Sequence, residues 1–508
     1  MIKPPTDFEL ELFTRSEKNK LYFFGAITLS VLLSGMFLFL YFNPEMKWIY
    51  LPFLIITFIY LLFSYVIGIF GKEFDVKAHK EFVNVFNPHH YKDNIRPTVD
   101  IYYACCGEDI KIQENALSNI VQLQLLYGEN ANIYILDDSK DGMSKPLYYQ
   151  FLKFTQNIYY IQRPDRPFLK KAGNLRNAFR ETNGEYIVIF DADFVPSPNF
   201  LYHTLPYLEH YPKIGIVQTP QFFQPSEQAS WVSYGTAYVQ ELFYRLIQVS
   251  RETFNGAICV GTNAVYRRTS LEPFGGTADI PYSEDVRTGF RVTANGQRVK
   301  YLPMNLAKGL CPDYLPAFFL QQHRWALGSI DLFFSKEFWL GKITLMQRAC
   351  YLSGMLYYIS TGIGVVFINI PSLYLLMFKP HMILWFNIAF SLPSFLFGTL
   401  YNAYWSKFDW KLSAMLSRQV SYYANLFALI ERITGNLTPW QATGVATKTK
   451  LYTKFQDVLL INAGLTYTVV IACVFYNSAS MPFYNFIPTL FFQSLNFYIS
   501  MRILKDQI

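Results

Sequence analysis

The chain is short of charge. Only 16% of its 508 residues are Asp, Glu, Lys or Arg, where soluble domains carry about 25%. Hydrophobic residues make up 52%, aromatics 18%, and the mean hydropathy is positive, +0.14. A single soluble domain is excluded; the length fits one catalytic-size domain plus a membrane part. The net charge of +7 is mild: it favours anionic substrates or anionic lipid and argues against nucleic acid as a partner. Cysteines are few and unpatterned. Cys105, Cys106, Cys259, Cys311, Cys350 and Cys473 form no CxxC pair, and the adjacent Cys105 and Cys106 are poorly placed to bridge each other. They read as reduced and structural, which excludes a thiolate metal site or a redox motif. There is no internal repeat and no low-complexity tract.

What the chain does have is apolar length. Residues 21–43 and 48–70 contain no charged side chain, and about 20 apolar residues suffice to cross the hydrocarbon core. The first run is too long for the apolar core of a signal peptide. Lys18 and Lys20 precede the pair and Lys72, Lys77 and Lys80 follow it. This places both the N-terminus and the segment after residue 71 on the cytoplasmic side of a plasma membrane. Apolar stretches return after residue 345. They read as an interfacial helix to about 360 and spans at about 361–378, 382–404, 458–477 and 484–503. The expectation is six spans, or seven if 346–378 crosses twice. Three regions follow: 1–71 with two spans, 72–340 as a cytoplasmic domain, and 341–508 with interfacial helices and four spans.

Between 95 and 340 short β-branched and aromatic runs alternate with polar helical stretches. The runs lie at 98–105, 132–138, 157–163, 185–193, 213–221 and 258–268. Buried strands separated by helices predict a mainly parallel α/β sheet. Ligands bind such sheets at the carboxyl ends of the strands, and acids gather there.

Asp191-Ala192-Asp193 ends the run YIVIF. Two carboxylates where a strand gives way to a loop can share a hard divalent cation that keeps substrate phosphates in its shell. The plain alternative is a solvated turn. Asp137-Asp138 closes an earlier run in the same way. Lys171, in KAGNL, is placed to meet a phosphate. Ser283-Glu284-Asp285 precedes a helical stretch; a carboxylate there can accept a hydroxyl proton, or simply reflect acidic bias at a helix start. Gln321, Arg324 and Trp325 share one helix face. Arginine offers a planar fork for diphosphate and tryptophan a flat surface for a sugar ring, although both also serve as ordinary membrane-interface anchors.

The order of these motifs resembles the processive family 2 glycosyltransferases, the cellulose synthase and hyaluronan synthase superfamily, over essentially the whole chain. The resemblance implies a GT-A-like domain set between transmembrane helices. It implies that Asp137 or Asp138 contacts the uridine of a UDP-sugar, and that Asp191 and Asp193 hold Mg2+ or Mn2+. Asp285, with Glu284 beside it, would be the general base. Gln321 and Arg324 would hold the nucleotide diphosphate, beside the phosphate contact read above for Lys171. Trp325 would floor the acceptor site, and Gln221 would line the path of the growing polysaccharide. A lid at 437–450, using Trp440 and Thr443, matches the family's gating loop loosely because its lysine is missing; Trp440 reads equally well as an interfacial residue. No appended regulatory domain is expected. The implied product is a β-linked polymer formed with inversion and passed across the membrane. UDP-glucose and a capsule-like glucan come first, and a hyaluronan or chitin type using UDP-GlcNAc second. A non-processive enzyme with a lipid acceptor, or a transporter or inactive scaffold, stands as the competing reading.

Overall fold

The structure is a computed structural model. It describes residues 2–14, 17–86, 96–166, 168–225, 229–401, 405, 412–438 and 449–505.

Among the described residues ten strands build two sheets. They are β1 (Val99–Cys105), β2 (Ala131–Asp137), β3 (Ile158–Ile161), β4 (Tyr186–Asp191), β5 (Phe194–Pro196), β6 (Ile214–Gln218), β7 (Phe222–Phe223), β8 (Ala264–Arg267), β9 (Arg298–Tyr301) and β10 (Ala307–Gly309). The large sheet runs β3-β2-β1-β4-β8-β6-β9 and the small one β5-β10-β7. β1 and β4 are apolar on both faces and almost wholly buried, as expected of central strands covered by helices on each side. Their register is level: Ala104 lies opposite Leu136 and Asp191, and Cys105 opposite Asp137. The carboxyl edge therefore presents the ends of β1, β2 and β4 side by side.

The large sheet is mixed: four of its six strand pairings are parallel, as the sequence predicts, and two are antiparallel. β8 runs antiparallel to both β4 and β6. The reason lies in the run 258–268, read above as one strand. Its first half is a loop, and the chain reverses where Gly261 (φ +82°) and Asn263 (φ +55°) take left-handed backbone. The preceding helices deliver the chain to the carboxyl edge, so β8 can only run back across the sheet.

Among the described residues four helices are long and apolar enough to cross a membrane: Lys18–Phe42, Pro44–Phe70, Leu345–Phe378 and Lys450–Asn477. That corrects the expected six. The expected span at 382–404 is a shorter apolar stretch, Trp385–Leu400, broken by a 3-10 turn at Trp385–Asn387 and carrying Pro393 inside the helix. The expected last span is the helix Ile487–Lys505, whose Gln493, Asn496, Arg502 and Lys505 dilute its hydropathy. The division of 346–378 at residue 360 is also corrected: helix Leu345–Phe367 runs through that point.

The catalytic-size unit meets these helices through Leu315–Phe333. That helix packs along Leu412–Thr434, which in turn packs along Leu345–Phe367. The last two approach closely: a Cβ at Gly362 would lie 2.9 Å from the Leu426 backbone nitrogen. Trp440 and Thr443 lie outside the described residues.

Candidate active site

The loop Val260–Asn263 is the hub of the carboxyl edge. Thr262 Oγ1 accepts the Asp191 backbone N–H at 3.0 Å, and the Gly261 carbonyl accepts Lys171 Nζ at 3.1 Å. Gln221 Nε2 donates to the Val260 carbonyl at 3.1 Å, while Gln218 spans the loop, accepting from Val260 N and donating to Thr262 O, both at 2.8 Å. A Cβ at Gly261 would stand 2.8 Å from Asp285 Cβ. Only glycine permits both this approach and the positive φ.

Lys171 lies in helix Lys170–Glu181, and its ammonium pairs with the Asp191 carboxylate. Burial alone would lower its pKa, but Asp191, Glu284 and Asp285 outweigh burial and raise it. The lysine thus sits charged between the Asp191 turn and the Glu284-Asp285 pair. Asp193 is half-buried. Burial pushes its pKa up to about 7, with repulsion from Asp191 and Glu108 adding to the effect. Asp285, at the start of helix Glu284–Ala294, also rises to about 7, through burial and then the charge of Glu284. Its Oδ1 accepts the Val286 N–H at 2.8 Å. Arg324 is drawn down by burial to about 10, opposed by the charges of Asp191 and Glu284.

The Ser283-Glu284-Asp285 turn is locked onto the helix Leu315–Phe333. Ser283 has left-handed backbone (φ +46°), and its hydroxyl donates to the Arg324 carbonyl at 3.4 Å. It rests on Gly328, where a Cβ would collide with the Ser283 side chain. Arg324 and Trp325 are half-buried. Gln321 is buried, and its Oε1 has no hydrogen-bond partner among the described residues. A buried acceptor of this kind normally finds a donor.

The fold therefore brings Lys171, Asp191, Asp193, Glu284, Asp285 and Arg324 into one electrostatic neighbourhood, with Gln221 tied to the same loop. Asp137 and Asp138 are engaged differently. Asp137 is fully buried and accepts Ser139 N (2.8 Å), Ser144 N (3.1 Å) and the Tyr160 hydroxyl (2.9 Å). Asp138 takes a two-bond fork from the fully buried Arg163, at 2.8 and 2.6 Å. Both carboxylates shape the loop that follows β2.

Glu108 escaped sequence reasoning. It follows the carboxyl end of β1 just as the aspartates follow β2 and β4, and that position was the available signal. The Val260–Asn263 hub escaped as well, because its apolar letters read as strand.

A family profile, Glycosyl transferase family group 2, matches residues 186–495, more than half of the chain. The chain belongs to that family. Among curated proteins it is similar to a cellulose synthase catalytic subunit [UDP-forming] of Pseudomonas fluorescens (strain SBW25). The two are 31% identical over 315 residues, which is 60% of this chain and 41% of that protein. It is also similar to the cellulose synthase 1 catalytic subunit [UDP-forming] of Komagataeibacter xylinus, 33% identical over 292 residues, or 55% of this chain and 37% of that one. The match thus spans about two fifths of these relatives' length. Among solved structures it resembles a mannosyltransferase of Pyrobaculum calidifontis in complex with GDP-Man and Mn2+. The TM-score is 0.50 at 16% identity, over 71% of this chain and 97% of the other. At that identity the likeness shows the fold, GT-A-like, and no more.

Proposed function

We propose that the chain is a membrane-embedded polysaccharide synthase. It polymerises a UDP-sugar, UDP-glucose first, into a β-linked, capsule-type glucan and passes the product across the membrane. The observation that carries this is Lys171 held between Asp191 and the Glu284-Asp285 pair, with Arg324 facing the same acids from a helix packed on the membrane helices. In this reading the cytoplasmic domain covers 72–340 and the membrane parts flank it.

Asp285 accepts the proton of the acceptor hydroxyl as its oxygen attacks the anomeric carbon. The bond from that carbon to the UDP oxygen breaks in the same step, so the configuration inverts. A pKa near 7 suits this task, because a base works best when poised close to the operating pH. Lys171 and Arg324 stabilise charge developing on the departing diphosphate, and the unpartnered Gln321 carboxamide oxygen takes a donor hydroxyl. Asp138, whose side chain keeps a small exposed edge, reaches the uracil with lone pairs left over from the Arg163 fork, and the fully buried Asp137 holds the loop beneath it. Trp325 floors the acceptor.

The acids fit a divalent ion. Among the described residues no three His, Cys, Asp or Glu side chains form a cage of their own. Mg2+, however, usually takes one or two carboxylates and fills its shell with phosphate and water. Asp191 and Asp193 would hold Mg2+ or Mn2+, with Glu108 adding negative charge. When bound, the ion supplies positive charge to the leaving group.

One observation favours a second reading. With four long apolar helices among the described residues rather than six, the chain suits a non-processive enzyme acting on a lipid acceptor. A donor panel separates these. Purified protein is incubated with labelled UDP-glucose, UDP-GlcNAc and UDP-GlcA, singly and mixed. High-molecular-weight product from UDP-glucose alone is expected. Product from UDP-GlcNAc would indicate the chitin or hyaluronan type, short lipid-linked product the second reading, and no UDP release from any donor would overturn both.

A further inference from the structure

Residues 2–14 precede the first apolar helix, and Glu9 and Phe13 among them lie against the small sheet β5-β10-β7. That sheet ties together two parts of the site. β5 follows Asp193, β7 follows Gln221, and β10 is bonded to both. Lys308, in β10, has a buried side chain, 7% exposed. It donates to both Glu9 carboxylate oxygens at 2.7 Å and to Gln224 Oε1 at 2.8 Å. Glu9 is itself fixed. Its carboxylate accepts the Thr6 N–H at 2.8 Å in a capping box, and its carbonyl accepts Asn305 Nδ2 at 2.8 Å. Asn305 N donates to the Leu10 carbonyl at 3.0 Å. Phe13, 1% exposed, meets Phe222 edge-on at 5.7 Å between ring centroids and stacks on Tyr244 at 6.5 Å.

A solvated leader has no reason to bury a phenylalanine and a paired carboxylate. Burial of an ion pair is a weak source of stability, and in some proteins such pairs serve instead to fix one arrangement over others. Here the arrangement fixed is that of β7 on β10.

We propose that residues 6–13 form a positioning strap. Glu9, through Lys308, and Phe13, through Phe222, set where Gln221–Gln224 stands relative to Asp191 and Asp193. The strap rests on the reading of Gln221 as lining the acceptor path. It packs on β7 directly and reaches β5 through β10, so loosening it displaces the acceptor side first. Glu9 and Phe13 are positioning residues and touch neither substrate.

The test uses the full-length protein in detergent. Glu9→Ala and Phe13→Ala are expected to leave the KM for the nucleotide sugar unchanged while shortening the product, or slowing acceptor extension, about tenfold. The charge exchange Glu9→Lys with Lys308→Glu is expected to restore product length in part, since a lysine at position 9 re-forms the ion pair but cannot accept the Thr6 N–H. Backbone hydrogen exchange at 222–224 is expected to quicken in Glu9→Ala while β1 stays protected, a readout that needs no turnover. Two results would overturn the proposal: exchange and product length matching the wild type, or a fall in activity that only tracks the yield of folded protein and is not rescued by the exchange. Absence of UDP release by the wild type would instead sink the proposed function, and the exchange measurement would still decide the strap.

Discussion

Two carboxyl groups carry the sharpest consequences at the scale of single residues. With its pKa near 7, Asp285 is protonated, and so useless as a base, on the acid side. The expected kcat/KM for UDP release therefore rises with pH through about 7 and levels above it. Asp285→Asn should lower kcat by about 10² to 10⁴-fold, the usual span for a lost general base; a silent substitution would point to an inactive scaffold. Asp193 affects stability. Its folded pKa is raised from 3.8 to about 7, so the native state binds the extra proton between those values. Its stabilising contribution is present at low pH and lost as pH rises through about 7. Asp193→Asn carries no charge at any pH. It should melt above the wild type at pH 8, match it more closely at pH 5, and lose part of the advantage when Mn2+ is added. Differential scanning fluorimetry reads all three.

The fit of the Ser283 turn on the helix Leu315–Phe333 gives the clearest forecast among the elements. A methyl group at Gly328 meets the Ser283 side chain, including its Cβ, and no rotamer removes a Cβ. Gly328→Ala should therefore shift Glu284 and Asp285 and lower kcat about tenfold. Ser283→Gly, at a position that already has positive φ, should restore much of it in the double variant. Uncoupled effects in that cycle would deny the contact.

The same elements show what the letters could and could not tell. The runs that became β1, β4 and β6 were legible because two-sided burial imposes continuous apolar sequence, and β2 and β3 through their β-branched and aromatic letters. The acids were legible because they stand where such runs stop. The hub Val260–Asn263 was hidden: Ile258 to Val260 have strand-like side chains, and only left-handed backbone at Gly261 and Asn263 reveals the turn. β8 was consequently drawn too long, over 258–268 where the strand is Ala264–Arg267. Arg163, which claims Asp138, and Lys308, which claims Glu9, were illegible. Each ion pair joins residues distant in sequence, and a charge does not announce its partner.

At the scale of the whole molecule, hydropathy found the longest apolar helices and overcounted the rest, since a window average does not see a break such as Trp385–Asn387. The first membrane hairpin is closed by a buried lysine. Lys18 Nζ donates to the Gly71 carbonyl at 2.5 Å and the Gly68 carbonyl at 3.3 Å, at the C-terminal end of helix Lys47–Phe70. A cation suits that end of a helix. Lys18→Met leaves those carbonyls without their donor and should destabilise the folded protein by about 1–3 kcal/mol, seen as a lower melting temperature in detergent.

The central claim is that Asp191, Asp193, Lys171 and Arg324 form a single nucleotide-diphosphate pocket. Calorimetric titration of UDP into the purified protein tests it most directly. The account predicts binding that requires Mg2+ or Mn2+, is lost on chelation, and is weakened at least tenfold by Asp193→Asn and by Arg324→Ala. UDP binding that is indifferent to the metal and to both substitutions would contradict it.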